Sequence, residues 1–121
     1  MRDSTRARVA AIVGAASKDQ NISTVYDHAS GRHRSTSVYI RNGRVSGYDY
    51  LTSSYFSGGS GGSGNLDFFD FETARQVQLK MNGNNFDGYD CHSGEHFSGT
   101  VHRGSVSLYD YETEHNYSFG V

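Results

Sequence analysis

A chain of 121 residues is one domain by size and can bury a core without disulfides or a structural metal. Eleven basic against thirteen acidic residues leave a net charge of −2, which argues for no particular partner. The single cysteine, Cys91, excludes an internal disulfide and favours a reducing, cytoplasmic setting, with secretion the minor alternative. No apolar run is long enough for a membrane-spanning helix, and strands of six or seven residues fall short of the roughly 9–11 a membrane barrel needs.

Residues 1–20 differ in kind from the rest. Asp3 or Ser4 can cap a helix, and Val9, Ile12, Val13 and Ala16 follow at helical spacing. Arg6, Arg8 and Lys18 lie off that stripe. The spacing predicts a helix from about Thr5 to Ser17. A second reading is a secretory signal, with a basic start, Val9 to Ala16 as the apolar run, and Ala-Ala-Ser behind; the run is short and follows an acid. The abrupt change of period near residue 20 predicts a helix separable from a β-domain over residues 21–121.

From Ile22 onward one pattern recurs: aromatic, Asp, any, any, Ser/Thr. Its copies begin Tyr26-Asp27, Tyr48-Asp49, Phe69-Asp70, Tyr89-Asp90 and Tyr109-Asp110, with the aspartates 22, 21, 20 and 20 residues apart. A fixed period near 20 is one structural unit used five times. The carboxylate accepts backbone N–H groups within a turn, and a small residue next along (Gly31, Ser53, Ala74, Gly94) suits a left-handed closing position. The unit is therefore a β-hairpin with a four-residue loop built around a type I turn. Such a loop pairs the residue two before Asp with the one seven after, and four before with nine after. Leu108 and Val106 then face Tyr117 and Phe119 on a single apolar face. The first copy departs. Arg34 and Thr36 fall at apolar positions and three extra residues precede Asn42-Gly43, which predicts a longer loop, Ala29 to Ser35, or a bulge.

Asn42-Gly43, Asn82-Gly83 and His102-Arg103-Gly104 are tight connections at the other end. Residues 57–64, Ser-Gly-Gly-Ser-Gly-Gly-Ser-Gly, form a long loop or an engineered or recently expanded insert. The fold expected is all-β: an antiparallel meander of about ten short strands, closed by pairing 22–27 with 115–121 into a barrel or flattened into a two-layer sandwich, with one N-terminal α-helix. The inward face carries four glycines, Gly47, Gly58, Gly88 and Gly99. Space is left there unless the barrel flattens, the helix plugs it with Val9, Ile12 and Val13, or an apolar ligand fills it.

Three sets of residues are candidates for chemistry. The aspartates repeat for turn geometry, and their spacing is too wide for two carboxylates to share a calcium ion. Cys91, His92 and His96 have the donor types for a metal, but no zinc spacing; His96 opposite Tyr89 and His33 opposite Tyr26 suggest cross-strand pairs instead. Tyr26, Tyr48, Phe69, Tyr89 and Tyr109 form an outer aromatic row, a candidate surface for a ligand or partner, with arginine too sparse for nucleic acid. The two rims differ in charge: Glu72, Glu95, Glu112 and Glu114 at the Asp turns, Arg41, Arg44, Lys80 and Arg103 opposite. No catalytic or cofactor motif occurs. The expectation is a non-catalytic interaction or oligomerisation module with a protein partner or self-association, and the alternative a barrel binding a small apolar ligand.

Overall fold

The computed structural model describes residues 1–59 and 64–121; four residues of the Gly/Ser stretch, 60–63, lie outside them. Helix α1 spans Asp3–Lys18. Ten strands follow: β1 Ile22–Asp27, β2 Arg32–Arg41, β3 Arg44–Asp49, β4 Ser54–Gly58, β5 Phe68–Asp70, β6 Arg75–Asn82, β7 Asn85–Asp90, β8 Glu95–His102, β9 Ser105–Asp110 and β10 His115–Gly120. Each strand pairs antiparallel with its sequence neighbour, and β1 pairs with β10, so the meander closes into a barrel. Among the described residues every strand has a neighbour on both sides, the closing β1–β10 pairing being the short one, Tyr26↔Gly120 and Asp27↔Phe119.

The five Asp turns share one geometry. Each places four residues between the paired Asp and the next strand, as in Asp110↔His115 and Asp90↔Glu95. The fourth loop residue is left-handed in every copy: Gly31, Ser53, Ala74, Gly94 and Glu114. Glycine is the natural residue there, so Glu114 and Ala74 hold that conformation against its usual cost. The hairpin register follows, with Leu108 facing Tyr117 and Val106 facing Phe119.

The first copy keeps the same four-residue turn, Asp27↔Arg32, so its loop is not longer. The surplus is absorbed by a bulge, where the register shifts between Ile22 and Thr24, and by a ten-residue β2. The helix also differs at its start. It begins at Asp3, and the residue before it, Arg2, makes no side-chain cap bond.

The barrel is plugged by its own helix. Every residue of α1 from Ser4 to Ala15 is buried, on all sides. Val9, Ile12 and Val13 join Val25, Val38, Phe68, Leu79 and Leu108 in one core. A helix at the axis must be slender, and Ala7, Ala10, Ala11, Gly14 and Ala15 make it so. A Cβ on Gly14 would stand 2.6 Å from the Val121 side chain, so glycine lets the C-terminal residue close against the helix. The helix is therefore not a separable appendage: residues 1–20 and 21–121 surround a single core.

The inward glycines are not voids. A Cβ on Gly47 would fall 2.3 Å from the Phe56 ring, one on Gly88 2.4 Å from Phe97, and one on Gly99 2.5 Å from Phe86. Each phenyl belongs to the residue directly across the ladder: Gly47↔Phe56, Gly88↔Phe97, Gly99↔Phe86. The ring lies over the glycine and fills the place of its missing side chain. Gly88→Leu would consequently break the wall and not merely block an interior site, since a Cβ there also meets the Gln78 carbonyl oxygen at 2.0 Å.

Deleting residues 1–19 removes the centre of this core. The truncated chain is expected to lose cooperative unfolding, measured by circular dichroism against urea. A sharp transition of native midpoint in the truncated chain would show that the barrel stands without its plug.

Candidate functional site

The helix enters at the rim of the Asp turns, and its arginines meet the aspartates there. Residues 6 and 8 of a helix point to opposite sides, because one residue turns the helix by about 100°. Arg8 faces β3 and β5: its Nη1 donates to Asp70 Oδ1 and Oδ2, both at 2.8 Å, and to Glu72 Oε1 at 3.0 Å. Its Nη2 donates to Asp49 Oδ2 at 3.0 Å and Thr52 Oγ1 at 2.7 Å. Arg6 faces β9: its Nη1 donates to Asp110 Oδ2 at 2.9 Å and to the Met1 carbonyl at 2.6 Å, and its Nη2 pairs with Asp3. Both arginines are buried, as are the three aspartates they meet. Lying off the apolar stripe does not expose them, because the wall surrounds the helix on all sides.

Each of these carboxylates does two things with two oxygens. Oδ1 accepts the backbone N–H two residues on, from Leu51, Glu72 and Glu112, and Oδ2 accepts from the helix. The turn role expected of the aspartates is present in all five copies, since Ala29 and His92 donate likewise to Asp27 and Asp90. The second role is added in three. Asp90 is buried with its Oδ2 unpartnered among the described residues. Arg34, which looked misplaced on β2, brings its Nη2 to 3.6 Å from Asp49 Oδ2, and Thr36 Oγ1 donates to the Tyr48 carbonyl at 2.9 Å. Of the two polar departures of the first copy, Arg34 thus joins the cluster and Thr36 is satisfied by the neighbouring backbone.

The surrounding groups extend the network. Ser4 Oγ donates to Glu72 at 2.7 Å and Thr5 Oγ1 to Asp70 at 3.2 Å. The Met1 ammonium pairs with Asp110 at 3.1 Å and with Glu112. Burial alone would raise the Glu72 carboxyl, but the Ser4 hydroxyl and the Arg8 and Arg2 guanidinium groups hold it below its ordinary value. Burial would lower the Met1 ammonium, but its bonds to Glu112 and Asp110 and their charges hold it above its ordinary value. The helix dipole adds to this, with its positive end at the acidic rim and its negative end near Lys18, which donates to the Val121 carbonyl at 2.5 Å.

The guanidinium Nη atoms and the carboxylates pair with one another and tie the helix to the rim, while Arg8 Nε is buried without a partner among the described residues. One sign of it is visible in the chain, five carboxylates at one turn position and two arginines at one helix end; the pairing of Arg8 with Asp49 and of Arg6 with Asp110 spans 41 and 104 residues.

The outer aromatics are placed as the register predicted. Each ring before an Asp packs edge-to-face with a neighbour: Tyr48 with Tyr55 and Tyr50 at 4.6 and 4.9 Å, Phe69 with Phe71 at 4.8 Å, Tyr109 with Tyr111 at 4.8 Å. Tyr26 packs on His33 at 4.7 Å and on His28 at 4.9 Å, and Tyr89 on His96 at 4.9 Å. The row is thus a set of separate pairs. Cys91, His92 and His96 are all exposed around one loop, and among the described residues no three His, Cys, Asp or Glu side chains come together to hold a metal ion. No helix is long and apolar enough to cross a membrane. No family model, curated protein or solved structure matches this chain.

Two predictions separate the carboxylates. Asp70→Asn should destabilise the fold by about 1.5–3 kcal/mol, because buried Arg8 loses the closest of its three carboxylates and keeps only Asp49 and Glu72. Asp90→Asn should cost under about 1 kcal/mol, since no cation faces it and the turn acceptor is kept. Asp110→Ala belongs with the first, a larger loss than a turn bond alone. Urea midpoints of the variants decide; equal losses at Asp70 and Asp90 would remove the ion pairs from the account.

Stability should also depend on pH at both ends. The depressed Glu72 value contributes stability above about 4.5, its unfolded value, and the contribution is lost as pH falls through the folded value. The raised Met1 value contributes below about 8.0 and is lost as pH rises through the folded value. Urea unfolding across pH should give a plateau between those limits; Glu72→Gln should flatten its acid side.

Proposed function

We propose that this protein is a non-catalytic binding module that recognises its partner on the outer wall of the barrel. The reading is carried by one observation. The interior is occupied by the chain's own helix, while the large exposed apolar side chains gather outside: of Tyr50, Leu51, Tyr55, Phe71 and Tyr111, each exposed by half or more, four lie on the β3–β5 sector. Aromatic residues without charge at the centre of a surface are the composition of recognition faces. Tyr48 and Phe69 of the expected row support this sector from beneath; Tyr26 and Tyr89 are engaged with histidines elsewhere on the wall. The exposed free thiol of Cys91 supports a reducing compartment.

A comparison of what is retained from the source extract tests this. The native chain and a Tyr50→Ser/Tyr55→Ser/Phe71→Ser variant are immobilised in equal folded amounts. The native chain is expected to retain a saturable binder that the variant loses; equal retention would take the outer wall out of the function. The alternative, an apolar ligand inside the barrel, is favoured by no open interior space, and an environment-sensitive apolar dye is expected to show no saturable binding to the folded chain.

A further inference from the structure

Two grooves flank the Tyr55 ring on this sector, and both are free of charge. The first, of about 370 Å3, is walled by Tyr39, Tyr48 and Tyr55 and floored by Ser37 and Ser46. The second, of about 520 Å3, is walled by Tyr55 and Phe71 and floored by Ser46 and Ser57. They share Ser46 and Tyr55, so they run into one another across a single ring. The register makes this arrangement. Ser37, Tyr48 and Tyr55 lie in one rung across β2–β4, and Tyr39, Ser46, Ser57 and Phe69 lie in the next. Short serines between tall aromatics leave troughs one residue wide.

The polar atoms in these troughs are unspent. The hydrogen bonds of the sector run from Thr36 to the Tyr48 carbonyl, from the Leu51 N–H to Asp49 and from Ser54 to the Thr52 carbonyl. Among the described residues they leave the hydroxyls of Ser37, Ser46, Ser57, Tyr39, Tyr48 and Tyr55 with no protein partner. Each hydroxyl both donates and accepts. The walls are held in place: Tyr48 packs edge-to-face on Tyr55, and the Arg41 guanidinium lies 5.1 Å from the Tyr39 ring centre. Rigid aromatic faces cost little entropy on binding, and serines adapt their hydrogen bonds.

A ligand that fits must present apolar faces to stack on rings, hydroxyls to meet hydroxyls, and no charge. A phosphate or carboxylate ligand would find no cation in the lining of either groove, Arg41 being stacked on the Tyr39 ring outside it, and a cationic peptide would find no carboxylate in either lining. We infer that the Tyr39–Tyr48–Tyr55–Phe71 surface is a binding site for neutral oligosaccharide, with the pyranose C–H faces stacked on either side of Tyr55 and the sugar hydroxyls bonded to the serine floor. This deepens the outer-wall reading and rests on it.

Affinity electrophoresis with defined neutral polysaccharides tests the site. The native chain is run through gels containing glycogen, mannan, xylan or a soluble β-1,3-glucan, with dextran sulfate as the charged comparison. Retardation by at least one neutral polysaccharide is expected, unchanged by salt. Tyr55→Ala should abolish it, Ser46→Val should weaken it by about tenfold or more, and Tyr109→Ala, on the far wall, should leave it intact. Circular dichroism confirms that each variant is folded; Tyr55 is an exposed side chain and its loss leaves the core untouched. No retardation by any neutral polysaccharide, retardation by dextran sulfate alone, or retardation that survives Tyr55→Ala overturns the inference. Sedimentation of the same proteins separates the two levels. If Tyr55→Ala instead dissociates a native dimer while no polysaccharide binds, the sector is a binding face for a second copy, and only the carbohydrate assignment falls.

Discussion

The buried pairing of Arg8 with Asp49 and Asp70 is the contact on which the rest of the architecture depends. A guanidinium taken out of water is expensive, and the expense is recovered only with close carboxylates and satisfied donors. The barrel supplies them because its hairpin turns repeat. Five aspartates stand at one rim by virtue of a local turn, each with one oxygen committed to the backbone and one turned inward. A helix carrying arginines two residues apart can use carboxylates on opposite sides of that rim only from the axis. The ion pairs therefore set both how deep the helix sits and which end enters first. Lys18 at the opposite rim and the direction of the helix dipole agree with that polarity.

Filling the interior follows from the same geometry. A ten-strand barrel encloses more than its own side chains fill, and here the helix takes the axis while three cross-strand phenyl rings lie over inward glycines. The small residues of the helix and the glycines of the wall are two halves of one fit. Where the wall gives up a side chain, a ring or the helix backbone comes close. The outer face of β2–β4 is built differently, with serine and aromatic residues alternating along the hairpin register.

That outer alternation is uneven around the barrel. On the histidine-bearing hairpins the ring before each Asp is paired with an imidazole, and charged residues lie nearby, as Asp87 and Glu95 do beside His96. On β2–β5 the neighbours are serine and tyrosine. One repeat unit has thus produced a uniform scaffold whose outer surface differs in chemistry from sector to sector among the described residues.

Much of this was legible in the chain itself. The Asp turns, their left-handed closing residues and the pairing of −2 with +7 depend on residues close in sequence or on simple alternation, so the pattern carried them; closure of β1 on β10, a pairing of chain ends, stood beside a two-layer sandwich as an alternative. The plug was one of three ways to fill the barrel, and nothing local chose among them. Arg6 and Arg8 stand off the apolar stripe, and nothing local shows their burial, because it becomes favourable only when carboxylates 41 to 104 residues away converge on them. Arg34 and Thr36 read as a flawed repeat for the same reason. The sequence determined the repeat, the strand register and the rim of carboxylates, since these are fixed by backbone geometry over a few residues. Only the tertiary structure decided that the helix occupies the axis and that serine troughs on one wall stand open, because desolvation of a charge and the shape of a surface are properties of what surrounds a residue and not of its neighbours in the chain.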